Sequence, residues 1–528
     1  MSTAAPALPR RKLPIGLQTL AKLRSEGCYY VDKSGMAIDL IESGTYFFLS
    51  RPRRFGKSLL VDTFKELFEG TQALFTGLAA ETRWDWSRRY PVIRLSFSTG
   101  VAPKGTRLGQ RIRENLRVNR VALGLPLPEG LPEDDLAGNF ADLIRQAHLS
   151  RGEPVVVLID EYDKPILDNI DDPDVARAMR DGLRDLYATL KDSDEHLKFV
   201  FLTGVTKFSK VSLFSGLNNL RDITLDARWS ALCGYTDHDI DTVFAPELPG
   251  LDRDEIRHWY NGYNWGGTSV YNPFDALLLF DSRQFKSYWF ETGTPTFLVR
   301  MLTEQQWFTP DLARQQADES LLTSFEVEHI EPAALLFQSG YLTLRETRQL
   351  QNRDVLYTLG YPNREVEVSL NRVLLPSYGI PERVVLPARL SLMDALFQAD
   401  LLSIETSLRA LFASIPSDWY RKNPLAGFEG HYASVFYSHL AGLGLDLRVE
   451  DATNHGRIDL TVVLPGQVFL FEFKVVADAP EGHALRQIRE KGYAEKYLGQ
   501  GSAVHLIGVE FSRTARNVVG FEVETITG

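Results

Sequence analysis

Two cysteines, Cys28 and Cys233, are all that the 528 residues contain. That is too few for a disulfide framework or a cysteine zinc cluster, and a reducing cytoplasm is the expected setting. Membrane-spanning apolar runs are missing. The opening stretch, Met1 to Lys12, lacks the apolar core of a signal peptide and reads as a loose tail. Basic charge is not in excess either: 58 Lys and Arg stand against 69 Asp and Glu, a net charge of −11. That argues against a chain coated in basic surface for non-specific nucleic-acid binding and leaves a local basic groove open. What is present, 44% hydrophobic and 24% charged residues, is ordinary for a globular chain. The length suffices for two to four domains.

The first half is organised around Tyr46 to Leu60. The short aromatic run Tyr46-Phe47-Phe48-Leu49 reads as a buried strand, and Leu59, Leu60, Phe64, Leu67 and Phe68 recur at helical spacing from about Lys57. Between them lies a compact loop ending in Gly56-Lys57-Ser58. Strand, loop and helix make a phosphate cradle. Backbone N–H groups attract the anion, Lys57 reaches the β- and γ-phosphates, and the Ser58 hydroxyl holds Mg²⁺. Arg51 stands where the common loop has glycine. With Arg53 and Arg54 it is expected to set three guanidiniums beside the phosphates, Phe55 and Gly56 completing the loop. The plain alternative is a strand-to-helix turn with a chance Gly-Lys-Ser.

Val155-Val156-Val157-Leu158-Ile159 reads as a strand buried on both faces, as in parallel sheets. The acidic turn Asp160-Glu161-Tyr162-Asp163 follows at the strand end, where open α/β sheets place ligands. Asp160 is expected to hold Mg²⁺ and Glu161 to polarise the attacking water, with Asp163 the next candidate base. A solvated Asp-Glu strand end is the bland reading. Lys198 to Leu202 is a further strand; Thr203 at its tip is either a γ-phosphate sensor or part of a plain turn. A helix is expected near Leu108 to Val121. The aromatic, Gly-rich segment Trp259 to Gly267 is expected to pack a small satellite core rather than to stack nucleobases. Gly340 to Leu344 and Val355 to Leu359 form a candidate hairpin in an otherwise helical stretch.

The last hundred residues hold the third signal. Arg457 to Leu464 alternates as a strand, Pro465-Gly466 turns, and Val468 to Val476 returns. A symmetric loop centred on Pro465-Gly466 sets Asp459 opposite Glu472, and Lys474 shares the face of Glu472. Facing carboxylates repel unless a cation sits between them, so Mg²⁺ is the natural filler, with Lys474 beside a scissile phosphate. A Glu472–Lys474 salt bridge on an exposed face is the alternative. Gln487 and Tyr493 are expected in one helix, Ala484 to Leu498, packed back over this site.

With these residues in hand, the chain resembles prokaryotic proteins that join an AAA-ATPase-like domain to a C-terminal PD-(D/E)XK nuclease domain. The resemblance rests on Tyr30 to Ser34, Arg51 to Ser58, Asp160 to Pro165, Leu202 to Val205 and Tyr260 to Tyr263. It continues through Gln338 to Thr343, Tyr361 to Val366, Gly456 to Asp459 and Glu472-Phe473-Lys474. It implies an α/β chain: tail 1–15, P-loop ATPase-like domain 16–230, mostly helical middle 231–400, and restriction-endonuclease-like domain 401–528. ATP at Lys57 and Ser58, with the acidic pair Asp160 and Glu161, is implied. So are nuclease metal ligands Asp459 and Glu472 with Lys474 catalytic, Gln487 as the later helix motif, and Glu429 from the first nuclease helix. The expectation is an ATP-regulated, Mg²⁺-dependent nuclease in the cytoplasm, acting on DNA before RNA, with no membrane partner and a homo-oligomer left open. The alternative is an ATP-dependent switch whose nuclease fold serves only for binding.

Overall fold

The computed structural model describes residues 9–98, 107–128, 130–208, 213–214, 216–290, 298, 301–302, 307–319, 322, 331–378, 380–415, 429–498 and 502–527. The chain divides into two compact units, 1–292 with 316–363, and 293–315 with 364–528. The stretch 231–400 is therefore shared between them. Among the described residues no helix is long and apolar enough to cross a membrane.

The first unit is built on a parallel sheet of strands β1 (Tyr46–Ser50), β2 (Val92–Ser96), β3 (Val155–Asp160), β4 (Leu197–Gly204) and β5 (Arg221–Asp222), in the order β2-β3-β4-β1-β5. All of β3 is buried, which is why it reads as an unbroken aliphatic run. Pairings Ser50↔Gly204, Asp160↔Thr203 and Ser96↔Asp160 align the carboxyl ends of four strands. Strand β2 lies at one edge of this sheet. Its backbone is covered by the helix Arg107–Leu123. Asn119 accepts from the Arg94 N–H at 2.8 Å and donates to the Arg94 carbonyl at 2.8 Å, while Asn115 accepts from Ser96 N–H at 3.0 Å. Side-chain amides thus satisfy an edge that would otherwise invite another strand.

In the same unit a three-stranded sheet contains β6 (Gln315–Asp318), β7 (Thr343–Gln349) and β8 (Val355–Gly360), the last two forming the expected hairpin. The aromatic segment divides. Tyr260 joins a satellite core with Phe244 and Phe280, as expected, whereas Tyr263 and Trp265 serve the phosphate loop.

The second unit carries a mixed sheet of β9 (Asp446–Thr453), β10 (Gly456–Leu464), β11 (Gln467–Val476), β12 (Ala503–Ser512) and β13 (Asn517–Ile526), in the order β13-β12-β11-β10-β9. Only β11 and β12 run parallel. One face packs the helix Glu429–Ala441, whose Phe436 ring stands 5.0 Å from those of Phe471 and Phe473. Val468 and Leu470 pack instead with Leu485, Ile488 and Tyr493. Gln487 and Tyr493 do not share one helix, contrary to expectation. The helix His483–Glu490 stops before Gly492, whose left-handed backbone (φ 58°) caps a separate 3₁₀ turn, Tyr493–Lys496.

Candidate phosphate-loop and two-carboxylate sites

At the end of β1 the chain turns into the helix Lys57–Glu69, so the N–H groups of its first turn open on the carboxyl edge of the sheet. Lys57 is buried, and its ammonium donates to the carbonyls of Arg51 and Pro52 at 2.8 Å each. Lys57, Ser58, Glu161 and Lys33 line a cavity of about 550 Å³ that also has apolar walls, among them Leu17, Val31 and Leu277. Asp160 is 1% exposed; its Oδ1 has no hydrogen-bond partner and Oδ2 lies 3.9 Å from Arg94. A buried carboxylate oxygen with no donor suits a cation or its water, so these residues fit a Mg²⁺-bound nucleotide. Glu161 holds a left-handed backbone (φ 54°), and burial raises its carboxyl above the usual range, with Lys57 opposing.

Arg51 does not stand beside the phosphates. It is fully buried and donates to the carbonyls of Ser50 (2.8 Å), Thr224 (3.0 Å) and Trp229 (3.1 Å), with its guanidinium 4.0 Å from the Trp265 ring centroid. The missing glycine is thus replaced by a bolt that pins the loop from behind. Phe55, also at 0% exposure, packs edge-on against Tyr263 and Trp265, leaving its backbone to the loop. Trp289 Nε1 donates to the Arg53 carbonyl at 3.1 Å, and a Cβ on Gly340 would come within 2.6 Å of Pro52. Arg54 lies over Phe274 at 4.8 Å and remains on the cavity wall. Thr203 is buried and its hydroxyl donates to the Leu49 carbonyl at 2.9 Å, the arrangement of a strand clip. Asp163 is also occupied: its Oδ2 accepts from Val205 N–H, Thr206 N–H and the Thr206 hydroxyl at 2.9, 2.6 and 2.8 Å.

In the second unit the hairpin has the register centred on Pro465-Gly466, from Leu464↔Gln467 to Leu460↔Phe471. One step further the ladder gives way, and Asp459 Oδ2 itself accepts from Phe473 N–H at 2.8 Å. Ile458 packs with Val468 and Leu470, yet Leu460 lines a small cavity with Asp459, Phe473 and Tyr437. Two residues apart on one strand should share a face. The break falls at Asp459, between the β9 pairings Ile458↔Asp451 and Leu460↔Val449, where Glu450 is left-handed (φ 48°). One residue on each strand leaves the ladder without any change of register, and this local break re-aims a carboxylate.

Glu472 is 0% exposed. Its Oε1 accepts from Lys474 at 3.3 Å and from the Gln487 amide, while Oε2 has no partner. Burial, then Asp459, pushes its carboxyl well above the usual range, and Lys474 opposes this. Lys474 also donates to the Phe473 carbonyl at 2.8 Å. The donor set, two carboxylates with one orphaned buried oxygen, fits a hard divalent cation. Among the described residues no three His, Cys, Asp or Glu side chains gather as a metal cluster. The side chain of Glu429 lies outside the described residues, although its backbone opens the helix Glu429–Ala441.

Residues 14–214 match the family model described as Predicted AAA-ATPase, and residues 427–521 match the PD-(D/E)XK nuclease superfamily. A protein of Azotobacter chroococcum mcd 1, described as "Uncharacterized protein in vnfD 5'region", is 58% identical over 520 residues, covering 98% of this chain and 100% of its own length. The chain belongs to the family joining an AAA-ATPase-like domain to a PD-(D/E)XK nuclease domain.

Sequence reasoning missed what holds Gln487 in the nuclease domain. Glu510, on β12 and 2% exposed, accepts from the backbone N–H groups of Glu481 (2.6 Å), Gly482 (3.1 Å), His483 (2.6 Å) and Ala484 (3.4 Å), which lead into and begin the Gln487 helix. Burial pushes this carboxyl up, but the four donors prevail and hold it below the usual range. At Gly508 a Cβ would collide with the backbone of Leu485, so only glycine admits the helix this close. Neither residue has a local sequence signature.

Proposed function

We propose that the protein is an ATP-regulated, Mg²⁺-dependent nuclease that hydrolyses phosphodiester bonds of DNA, with RNA the second substrate. The observation that carries this is the orphaned, buried Glu472 oxygen beside Asp459, Lys474 and Gln487. Asp459 and Glu472 would hold the metal, which supplies charge neutralisation at the phosphate and a water made acidic enough to attack. Glu429 as a further ligand rests on the family pattern alone. Gln487 fixes the Glu472 rotamer through Oε1 and leaves Oε2 inward. Lys474, anchored on the Phe473 carbonyl, stabilises the charge that builds on the scissile phosphate.

In the ATPase-like unit, Lys57 would pair with the β- and γ-phosphates of a bound nucleotide, Ser58 and Asp160 would hold Mg²⁺, and Glu161 is placed to take a proton from water. Arg54, Gly56 and the backbone of Phe55 close the loop, and Thr203 keeps β4 against β1. The second reading, a nucleotide-dependent switch, draws support from the clasp of Tyr263, Trp265 and Trp289 on the loop, a contact that a change in loop conformation on binding phosphate would disturb. Labelled DNA and RNA incubated with the protein, with and without ATP and Mg²⁺, test both. Mg²⁺-dependent cleavage that responds to ATP is expected. ATP hydrolysis with no cleavage of either polymer leaves the switch.

A further inference from the structure

Beside the nucleotide cavity, in the same unit, lies a larger one of about 910 Å³. Lys164, just past the acidic turn of β3, lines both. The floor is apolar, with Phe97, Leu116 and Met179, all at most 6% exposed. Among the charged lining residues, Arg111, Arg113 and Arg117 on the helix Arg107–Leu123, with Arg120 and Lys164, outnumber Glu114, Glu133 and Asp168. In a chain of net charge −11, such clustering runs against the average. Arg113 is exposed and has no ion pair among the described residues. Arg117 meets Glu114 at 2.8 Å, but with side chains 58% and 50% exposed the pair is worth little and yields readily to a stronger anion. Val118 and Val121, on the same helix, are 52% and 68% exposed. The amides of Asn115 and Asn119 lock this helix to β2, so the guanidiniums sit on a rigid element.

Cations at the rim and apolar surface below suit a ligand with a phosphate backbone and flat, weakly polar rings. A duplex is too wide to enter; the volume lies within the roughly 300–1,000 Å³ of ligand pockets, room for about two unstacked nucleotides. We propose that this cavity binds a segment of single-stranded nucleic acid, with Arg111, Arg113 and Arg117 on its phosphates and its bases against Phe97, Leu116 and Met179. The inference rests on the reading that nucleic acid is the substrate, but it concerns the ATPase-like unit and has its own test.

Fluorescence anisotropy of labelled oligo(dT) with the full chain in EDTA, across a salt series, reads binding without cleavage. Arg113→Glu and Arg117→Glu should each weaken binding about tenfold and lower the slope of log K against log salt by about 0.7 per lost phosphate contact. Lys22→Glu, the same charge change at an exposed site outside the lining of either cavity, should bind like the parent, and duplex should bind more weakly than the single strand. Parental binding by both arginine variants overturns the proposal, as does an equal loss in Lys22→Glu. Displacement by a poly-glutamate peptide as effective as by unlabelled oligo(dT) also overturns it, since that marks a general anion or acidic-protein site. Arginine-dependent binding in a protein that cleaves nothing upholds this inference and removes the nuclease reading; cleavage with parental binding by the variants does the reverse.

Discussion

Arg51 and Glu472 are both withdrawn from water, each at 0% exposure, and they are kept there by different means. Arg51 gives its terminal nitrogens to three backbone carbonyls and lies over Trp265; only Nε lacks a partner. Burial pulls its pKa down to about 10, so it stays charged at neutral pH. Its acceptors are neutral and belong to the fold. Glu472 has both of its donors on one oxygen and none on the other. A buried carboxylate left in that state costs about 1–3 kcal/mol or more. A buried charge completed by backbone is scaffold, whereas one left incomplete beside a second carboxylate is a binding site.

The largest effect expected from this contrast is in the nuclease domain. Asp459→Asn should lower cleavage about 1,000-fold or more and remove the rise in melting temperature on adding Mg²⁺. Lys474→Ala should lose cleavage comparably yet keep the Mg²⁺ shift, because an ammonium is not a ligand. Equal Mg²⁺ stabilisation of the parent and Asp459→Asn would erase the distinction drawn for Glu472.

Next in size is Arg51→Met. It strands three carbonyls, so a loss of about 3 kcal/mol or more is expected in urea unfolding without nucleotide. Lys57→Ala should show a different balance: ATP affinity abolished, with a smaller loss of stability, since it strands two carbonyls rather than three. If Arg51→Met unfolds like the parent and only ATP binding suffers, the guanidinium is a phosphate ligand after all.

Glu510→Gln is a smaller perturbation, about 1–2 kcal/mol for a weakened helix cap. Because that helix carries Gln487, cleavage should also fall about 10–100-fold, as for residues that orient metal ligands. Glu510→Asp, which keeps the charge, should recover more of the cleavage than Glu510→Gln. Identical cleavage by the two variants would make the cap purely structural.

How much of this was legible follows the range of the forces involved. The strand–loop–helix around Lys57 and the hairpin register around Pro465-Gly466 are local, set by periodicity and turn chemistry, and both read directly from sequence. The break at Gly492 was there to be read as well; treating Ala484 to Leu498 as one helix overlooked a glycine. Arg51 could not be placed, because its burial depends on Thr224, Trp229 and Trp265, distant in the chain, and an arginine in a phosphate loop otherwise looks like a ligand. The break in pairing at Asp459 falls opposite the left-handed Glu450 of the neighbouring strand, and glutamate gives no hint of that conformation. Glu510 reads as one more residue of its strand, because donors such as the Gly482 and His483 N–H groups come from 28 and 27 residues earlier.

The smallest expected effect is also the most direct reading of the Glu472 environment. A carboxyl held above its usual range binds its proton more tightly in the folded chain than in the unfolded one. Between the ordinary glutamate value, about 4.3, and its raised one, the folded state therefore carries more protons, and stability falls as pH rises. For one group the slope cannot exceed about 1.4 kcal/mol per pH unit. In EDTA, the parent should lose stability relative to Glu472→Gln across that window, since glutamine does not titrate. Saturating Mg²⁺ should abolish the parent's excess slope, because the cation stabilises the ionised form that burial opposes. Urea unfolding of parent and Glu472→Gln at several pH values, with EDTA and with Mg²⁺, measures the difference. Parallel pH profiles in EDTA would mean that water or a neighbouring donor already satisfies the second oxygen, and Glu472 would then belong with Arg51 as scaffold.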